Sequence, residues 1–325
     1  MEPFFSIIIP VYNVEHYLEQ CLDSVVNQGF RSWELICIND GSTDRSINIL
    51  KDYSDKYAQI SIKTINNSGT AVARNRGINL AKGQYLLFID SDDWIGPDAL
   101  QIIYDAVKNN PMDILSFNGH LYYEDSGTTE TDEGQMVRNI NGWDYYNKHV
   151  LRPRKFHFVC VVIRAYSLSF ILDKGLFFRA GVLHEDNLFM PQAFYHAEKV
   201  AEIPDPLYCY RIRPGSKMHE YTFRQIKDKC EVNNSLGDFF FSKPDIDLSN
   251  ISRIIASDYI GLYSTKTKRA IGNKQKEIIS KINREYFRRA CIIRRHKFLY
   301  TLIRIHPFVY RTYTRMSKIL HSCSR

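Results

Sequence analysis

Long apolar runs are missing from this 325-residue chain. No stretch reaches the roughly 18 consecutive apolar residues that a membrane-crossing helix requires. Met1 leads within three residues into FFSIIIPVY. No basic segment precedes that run and no small-residue cleavage site follows it, so we expect no secretory leader. Paired cysteines are missing too. The seven cysteines stand singly, without a CxxC spacing. An odd, scattered set argues against a disulfide frame or a zinc site and for reduced thiols in the cytoplasm. Internal repeats are absent as well. Acids are scarce near the C-terminal end: residues 266–325 hold 17 Lys and Arg against only Glu277 and Glu285. That segment carries +15, whereas the other 26 bases and 34 acids leave the rest at −8. Such a split points to an anionic surface as the partner of the basic end.

What is present is alternation. Phe4–Pro10 reads as an apolar strand, and Leu18, Cys21, Leu22, Val25 and Val26 follow at helical spacing with Asn13 as the expected N-cap. Trp33–Asn39 is a second strand, then a helix capped by Ser42 or Thr43 runs to about Tyr53. Ile60–Ile65 is a third strand, and a helix over 69–81 should close at a Gly83 turn. Gln84–Asp90 is a fourth strand. Pro97 suits the first turn of a helix to about Lys108, and Asp113–Asn118 is a fifth strand. Strand and helix in turn imply a parallel α/β sheet with its carboxyl strand ends on one edge, where ligands bind. Residues 124–134, acidic and rich in Gly and Thr, suggest a mobile loop or hairpin. Apolar segments resume at 156–163 and 176–178, LYCYRIR (207–213) is strand-like, and the pattern is helical from about Tyr221.

The polar loops fall on that one edge: PVYN (10–13), NDGSTD (39–44), NNSGTAVARNRG (66–77) and DSDD (90–93). Any one of them is an ordinary strand-to-helix turn; four together suggest a site. Asp90 and Asp92, two apart past a buried strand, are hard oxygen donors suited to Mg²⁺ or Mn²⁺, which take remaining ligands from water and phosphate. The competing reading is that these acids cap the next helix, Asp93 above all. Asp44 is expected to start a helix rather than bind a ligand.

PVYN, NDGSTD, ARNRG and FIDSDD, in this order and mostly after strands, resemble the nucleotide-sugar half of a family 2 inverting glycosyltransferase of the GT-A fold. The likeness is close over residues 4–120 and looser to about 220. It implies an α/β fold, a mainly parallel sheet flanked by helices, over 1–220: a nucleotide-sugar half (1–120), an acceptor and catalytic-base half (121–220), and a helical C-terminal region (221–325). It implies that Pro10, Val11 and Tyr12 flank a uracil base, that Asp40 accepts the base N–H, and that Arg74 lies by the nucleotide. Arg74 could equally pair with Asp40 or Asp90. Asp90 and Ser91 would contact ribose or metal, with Asp92 the principal metal ligand.

The same resemblance makes HEDNLFM (184–190) the base segment, with Asp186 as general base and Glu185 supporting it. Charge complementation at a helix N-terminus is the plainer explanation. YRIRPGSKM (210–218) would bring Arg211, Arg213 and Ser216 to the diphosphate, or form a surface strand with alternating bases. The implied reaction moves a hexose or N-acetylhexosamine from a UDP-sugar to a glycan or lipid-linked acceptor, in surface-polysaccharide synthesis. A haloacid dehalogenase-type phosphatase also ends a strand in DxD, but its nucleophile should follow the first strand. A nucleotide-sugar-binding protein without turnover is the other alternative. Residues 284–325 interleave bases with large apolar side chains and Pro307 interrupts them, which suits helices lying on an anionic membrane surface. No RRM, KH or helix-turn-helix signature accompanies them, so no nucleic-acid partner is expected. The expected location is cytoplasmic, peripheral on the inner face of the cell membrane.

Overall fold

The structure is a computed structural model that describes residues 2–131, 134–151, 160–213, 222–243 and 246–322. The chain divides into two compact units, Met1–Gly181 with Glu185–Ser216, and Val182–His184 with Lys217–Arg325.

The first unit is built on one sheet. Its elements are β1 (Phe5–Val11), α1 (Leu18–Val26), β2 (Trp33–Asn39), α2 (Ser46–Lys56), β3 (Ile60–Thr64), α3 (Thr70–Leu80), β4 (Tyr85–Phe88), β5 (Trp94–Ile95), α4 (Ala99–Val107), β6 (Ile114–Tyr123), β7 (Thr128–Thr131), β8 (Val137–Ile140), α5 (Gly142–Tyr145), a π-helical turn (Tyr146–Val150), β9 (Arg164–Ser167), α6 (Leu168–Asp173), α7 (Asp186–His196) and β10 (Val200–Ile212). The strand order is β3-β2-β1-β4-β9-β6-β10-β5, with β7 beside β6 and β8 beside β10. Strands β3, β2, β1 and β4 pair in parallel, so their carboxyl ends share an edge. Strand β9 is antiparallel to both β4 and β6, which makes β6 run with the first four, and β10 pairs parallel to β6. The sheet is thus mainly parallel and not wholly so. Phe5, Ile7, Ile8 and Ile9 of β1 are all fully buried. A central strand covered on both faces reads as a continuous apolar run rather than an alternating one.

Several local expectations change. Asn13 is not an N-cap: it adopts a left-handed backbone (φ 50°), and α1 begins at Leu18. Helix α2 begins at Ser46, beyond both Ser42 and Thr43. Pro97 precedes α4, whose entry is a left-handed Asp98. The strand read at 113–118 extends to Tyr123, and its continuation forms an antiparallel pair with β7. The strand read at 207–213 starts at Val200. Strands β5 and β9 have four residues or fewer and carried no readable period. Part of the apolar segment 156–163 lies outside the described residues.

Gly83 is not a helix-closing turn either. A Cβ there would stand 2.5 Å from the Ser6 backbone nitrogen. Its amide instead donates to Ser6 Oγ at 2.7 Å. The glycine is needed because two backbones touch.

The second unit is helical: α8 (Phe223–Phe240), α9 (Ser249–Leu262), α10 (Thr265–Ile271), α11 (Lys274–Ser280), α12 (Arg284–Ala290), α13 (Arg294–Ile305) and α14 (Pro307–Ser322). Thr222 and Gln225 form a reciprocal capping box at the start of α8. Ile255, Tyr259 and Phe287 lie in its core, with the Tyr259 and Phe287 rings edge to face at 5.4 Å. Pro307 opens α14 as its first helical residue, the position where its missing N–H costs nothing.

Gly83→Ala should lower stability by about 1–3 kcal/mol through backbone overpacking. Gly261→Ala, in the open on α9, should be neutral or stabilising by up to about 1 kcal/mol. Thermal unfolding of both variants checks the contrast.

Candidate active site

The first two loops are laced together. Asn13 Oδ1 accepts from Thr43 N (2.8 Å) and Asn13 N donates to Ser42 Oγ (3.2 Å). Asp44 accepts from the backbone N–H groups of Glu15 and Ser46, each at 3.0 Å. Partial burial opposes its ionisation, yet the hydrogen bonds from Ser46 and Glu15 outweigh it and hold the carboxyl below its usual range. Asp44 therefore fastens the start of α2. Val11 is buried, Pro10 is half-buried, and Tyr12 stands 41% exposed at the mouth of the loop. Asp40 is buried, and its two oxygens accept from Ser68 N (2.7 Å) and Gly69 N (2.8 Å). It ties the β2 loop to the loop that starts α3.

Four residues of ARNRG have separate contacts, and Arg76 is exposed. Ala73 packs on Ile36 and Ile38 of β2. Gly77 lets α3 rest on β1, since a Cβ would meet Ile8 Cγ2 at 2.4 Å. Asn75 clamps the backbone of Phe178, accepting from its N–H (2.8 Å) and donating to its carbonyl (2.7 Å). Arg74, 5% exposed, donates to Asp90 Oδ1 at 2.7 Å and to Glu185 Oε1 at 2.8 Å. Its guanidinium lies 5.4 Å from the Phe178 ring, which stacks on Phe189 of α7. Burial opposes the charge on Arg74, but Asp90 and Glu185 more than offset it and raise its pKa. Of the two partners considered from sequence, Asp90 is the one it takes; Asp40 is bound elsewhere.

The three aspartates past β4 have three different partners. Asp90 pairs with Arg74. Asp92 Oδ2 pairs with Arg213 at 2.9 Å. Asp93 is buried; it accepts from the Tyr208 hydroxyl (2.6 Å) and from Arg211 N (2.8 Å). It does not cap α4 but joins β4 to β10. Burial raises the Asp92 pKa, the Asp90 charge adds to this, and Arg213 works against it. Burial also raises Asp93, with Asp92 and Asp90 adding to it. Ser91 is buried within the turn. Among the described residues, no three or more His, Cys, Asp or Glu side chains could together hold a metal ion. Asp90 and Asp92 each engage one oxygen with an arginine, which leaves the other for a cation. Two hard carboxylate oxygens, completed by phosphate and water, fit Mg²⁺ or Mn²⁺.

Arg211 sits in a cage. It lies 4.8 Å from the Trp94 ring, 4.9 Å from Tyr17 and 5.6 Å from Tyr122. Its Nε donates to Asp92 O at 2.9 Å, and its other nitrogens reach Gln20 and Glu124. Arg213 is a third exposed and lies 4.8 Å from the Tyr17 ring. Ser216 lies outside the described residues. Glu124, Tyr17, Gln20 and Tyr208 were not among the expected site residues. The strand alternation in LYCYRIR, which puts Tyr208 on the face opposite Cys209, is the signal that could have singled out Tyr208.

Glu185 and Asp186 open α7 after a left-handed His184. Glu185 is held by Arg74. Asp186, half-buried, accepts from Asn187 N at 2.9 Å. Burial, with the Glu185 charge adding to it, raises the Asp186 carboxyl to about 7. A carboxylate poised there can accept a proton near neutral pH.

The sequence model of Glycosyl transferase family 2 matches residues 6–185, and the chain belongs to that family. The uncharacterized glycosyltransferase EpsJ of Bacillus subtilis is 32% identical over 268 residues, 76% of this chain and 75% of that protein. The glycosyltransferase GlyA of Streptococcus pneumoniae is 34% identical over 227 residues, 67% of this chain; the match spans only 32% of GlyA's own length. The fold is similar to that of S. aureus TarS residues 1–349, solved with UDP-GlcNAc (TM-score 0.63, 20% identity, 90% of this chain and 80% of that chain). The mixed α/β sheet is thus of the GT-A kind.

Arg74→Met should destabilise the chain by roughly 3–5 kcal/mol, because it strands two carboxylates without their cation. Denaturant unfolding measures it. Asp186 behaves oppositely. Its folded pKa, about 7, lies above the ordinary 3.8, so its contribution to stability is full below the ordinary value and is lost as pH rises through about 7. Asp186→Asn should therefore be more stable than the parent at pH above about 7. The difference should vanish below about pH 4, as unfolding at the two pH values would show.

Proposed function

We propose that the chain is a metal-dependent inverting glycosyltransferase that uses a UDP-sugar. Asp186 takes the proton from an acceptor hydroxyl as that oxygen attacks C1 of the sugar. The C1–O bond to the diphosphate breaks in the same displacement, and UDP leaves with the electron pair. One observation carries this assignment above the others. The carboxyl with its pKa near 7 adjoins Glu185, which shares Arg74 with Asp90 of the DxD segment. A single side chain thereby ties Glu185, the neighbour of the proposed base, to the proposed donor-side carboxylate Asp90.

The remaining roles follow from what each group has available. Tyr12 offers an exposed ring to a uracil base, flanked by Pro10 and Val11. Asp40 is proposed to accept the base N–H with its remaining lone pairs while it holds the 66–69 loop. Ser91 and Asp90 would lie by the ribose. A divalent cation, Mg²⁺ or Mn²⁺, on Asp92 with Asp90 would supply Lewis-acid stabilisation of the leaving diphosphate. Arg213, partly exposed and paired with Asp92, is the arginine suited to reach a phosphate oxygen. Arg211 is a positioning residue in this scheme, since its guanidinium is surrounded by Trp94, Tyr17 and Tyr122 and bonded to Asp92 O, Gln20 and Glu124. Glu185 supports Asp186 by holding Arg74 and by its own negative charge.

The likeness to TarS, solved with UDP-GlcNAc, supports a hexose or N-acetylhexosamine donor. A glycan or lipid-linked oligosaccharide is the proposed acceptor, in capsule, exopolysaccharide or O-antigen synthesis, on the cytoplasmic side of the membrane. Family membership favours neither a phosphatase nor a pure binding protein.

Asp186→Asn should lower transfer by about 10²–10⁴-fold and leave UDP affinity nearly unchanged. Turnover and calorimetric titration with UDP measure the two; retained turnover would overturn the base assignment. In the parent, kcat should fall about tenfold per pH unit below about 7. Chelation should abolish transfer, and added Mn²⁺ or Mg²⁺ should restore it.

A further inference from the structure

We propose that α13 and α14 form a docking surface for an anionic lipid bilayer. The observation is a solvent-facing ridge of large apolar side chains on the second unit. Phe298 is 47% exposed, Ile305 67%, Phe308 66% and Tyr313 43%. On α13, Arg294, Phe298, Thr301 and Ile305 are spaced i, i+4, i+7 and i+11, which lines them along one stripe. The Phe298 and Tyr313 rings meet edge to face at 5.2 Å, so the two helices fold back on each other about the His306 break and join their ridges. The opposite side of the hairpin is spent on the core, with Leu299, Ile303 and Tyr310 buried. Packing inside the unit therefore does not explain the exposed set.

Charge selects the occupant. Arg294, Arg295, Lys297 and Arg304 are exposed around the ridge, and no acid occurs after Glu285. An apolar ridge whose charged sequence neighbours are all bases matches lipid headgroups with acyl chains beneath. A second copy would bring two +15 segments together. Nucleic acid would leave Ile305 and Phe308 without a purpose. None of the helices in the described residues is long and apolar enough to cross a membrane, so the hairpin would lie in the interface. The proposal needs nothing from the transferase reaction and stands or falls apart from it.

Co-sedimentation of the full chain with vesicles tests it. Binding is expected to vesicles of equal phosphatidylcholine and phosphatidylglycerol, to weaken with salt, and to be absent with phosphatidylcholine alone. Ile305→Ser combined with Phe308→Ser should weaken binding by at least about tenfold. Arg304→Gln should weaken it by about fivefold. Far-UV circular dichroism should not change. Equal binding to both vesicles, no binding to either, or variants that lose a dimer in sedimentation velocity instead of lipid would each overturn the proposal. Should the double variant fail to fold, the dependence of the parent chain on lipid charge and salt decides alone.

Discussion

The buried guanidinium of Arg74 is the interaction on which the rest of the site depends. It joins Asp90, from the end of β4, to Glu185, the residue that opens α7 and lies 111 positions away. A buried ion network of this kind adds little net stability over an apolar replacement, but removing one member is costly. Such a network fixes where its members stand. Gly77 and Ala73 let α3 lie close enough to the sheet for Arg74 to reach both acids, and Asn75 holds the Phe178 segment beneath. Asp186 is the next residue after a fixed one. Its backbone is therefore held near Asp90, and burial together with the Glu185 charge raises its pKa to about 7.

The order of strands, helices and polar loops in the first 120 residues was legible because each apolar run had its own period and each loop its own turn chemistry. Arg74 and Asp90 could be paired in advance because a parallel sheet gathers the segments that follow its strands on one edge, and α3 opens there as the DSDD turn does. The second partner, Glu185, could not. Its contact depends on how α7 packs through Phe189 on Phe178, and no local pattern encodes that. The aspartates of DSDD also looked alike in sequence. They diverge because β10 runs alongside: Tyr208 and the Arg211 amide take Asp93, while Arg213 takes Asp92. Register between β5 and β10 sets this, and β5 is two residues long. Gly83 was misread for a related reason. A glycine in a turn and a glycine against a neighbouring backbone look the same until the neighbour is placed.

Arg211 and Arg213 show how little in sequence separates an enclosed base from a partly exposed one. They stand two apart at the end of β10, Arg211 within the strand and Arg213 just past it. The first has its guanidinium surrounded by Trp94, Tyr17 and Tyr122 and tied to Glu124 and Gln20. The second has an ion pair to Asp92, one ring, Tyr17, beside it, and about a third of its side chain in solvent. Sequence spacing gave both the same expectation, and burial distinguishes them. The basic C-terminal helices make the complementary point, since their charge was plain in composition but the exposed ridge beside it required the hairpin.

The central claim is a single displacement at C1 with Asp186 as base and UDP as leaving group. Proton NMR of the product formed from a UDP-α-sugar tests it most directly, because the anomeric coupling reports which face of C1 was attacked. Inversion to a β-linkage is the result the account predicts. Retention of the α configuration would contradict it, since retention requires a second displacement or a front-face route that a lone base at Asp186 does not provide.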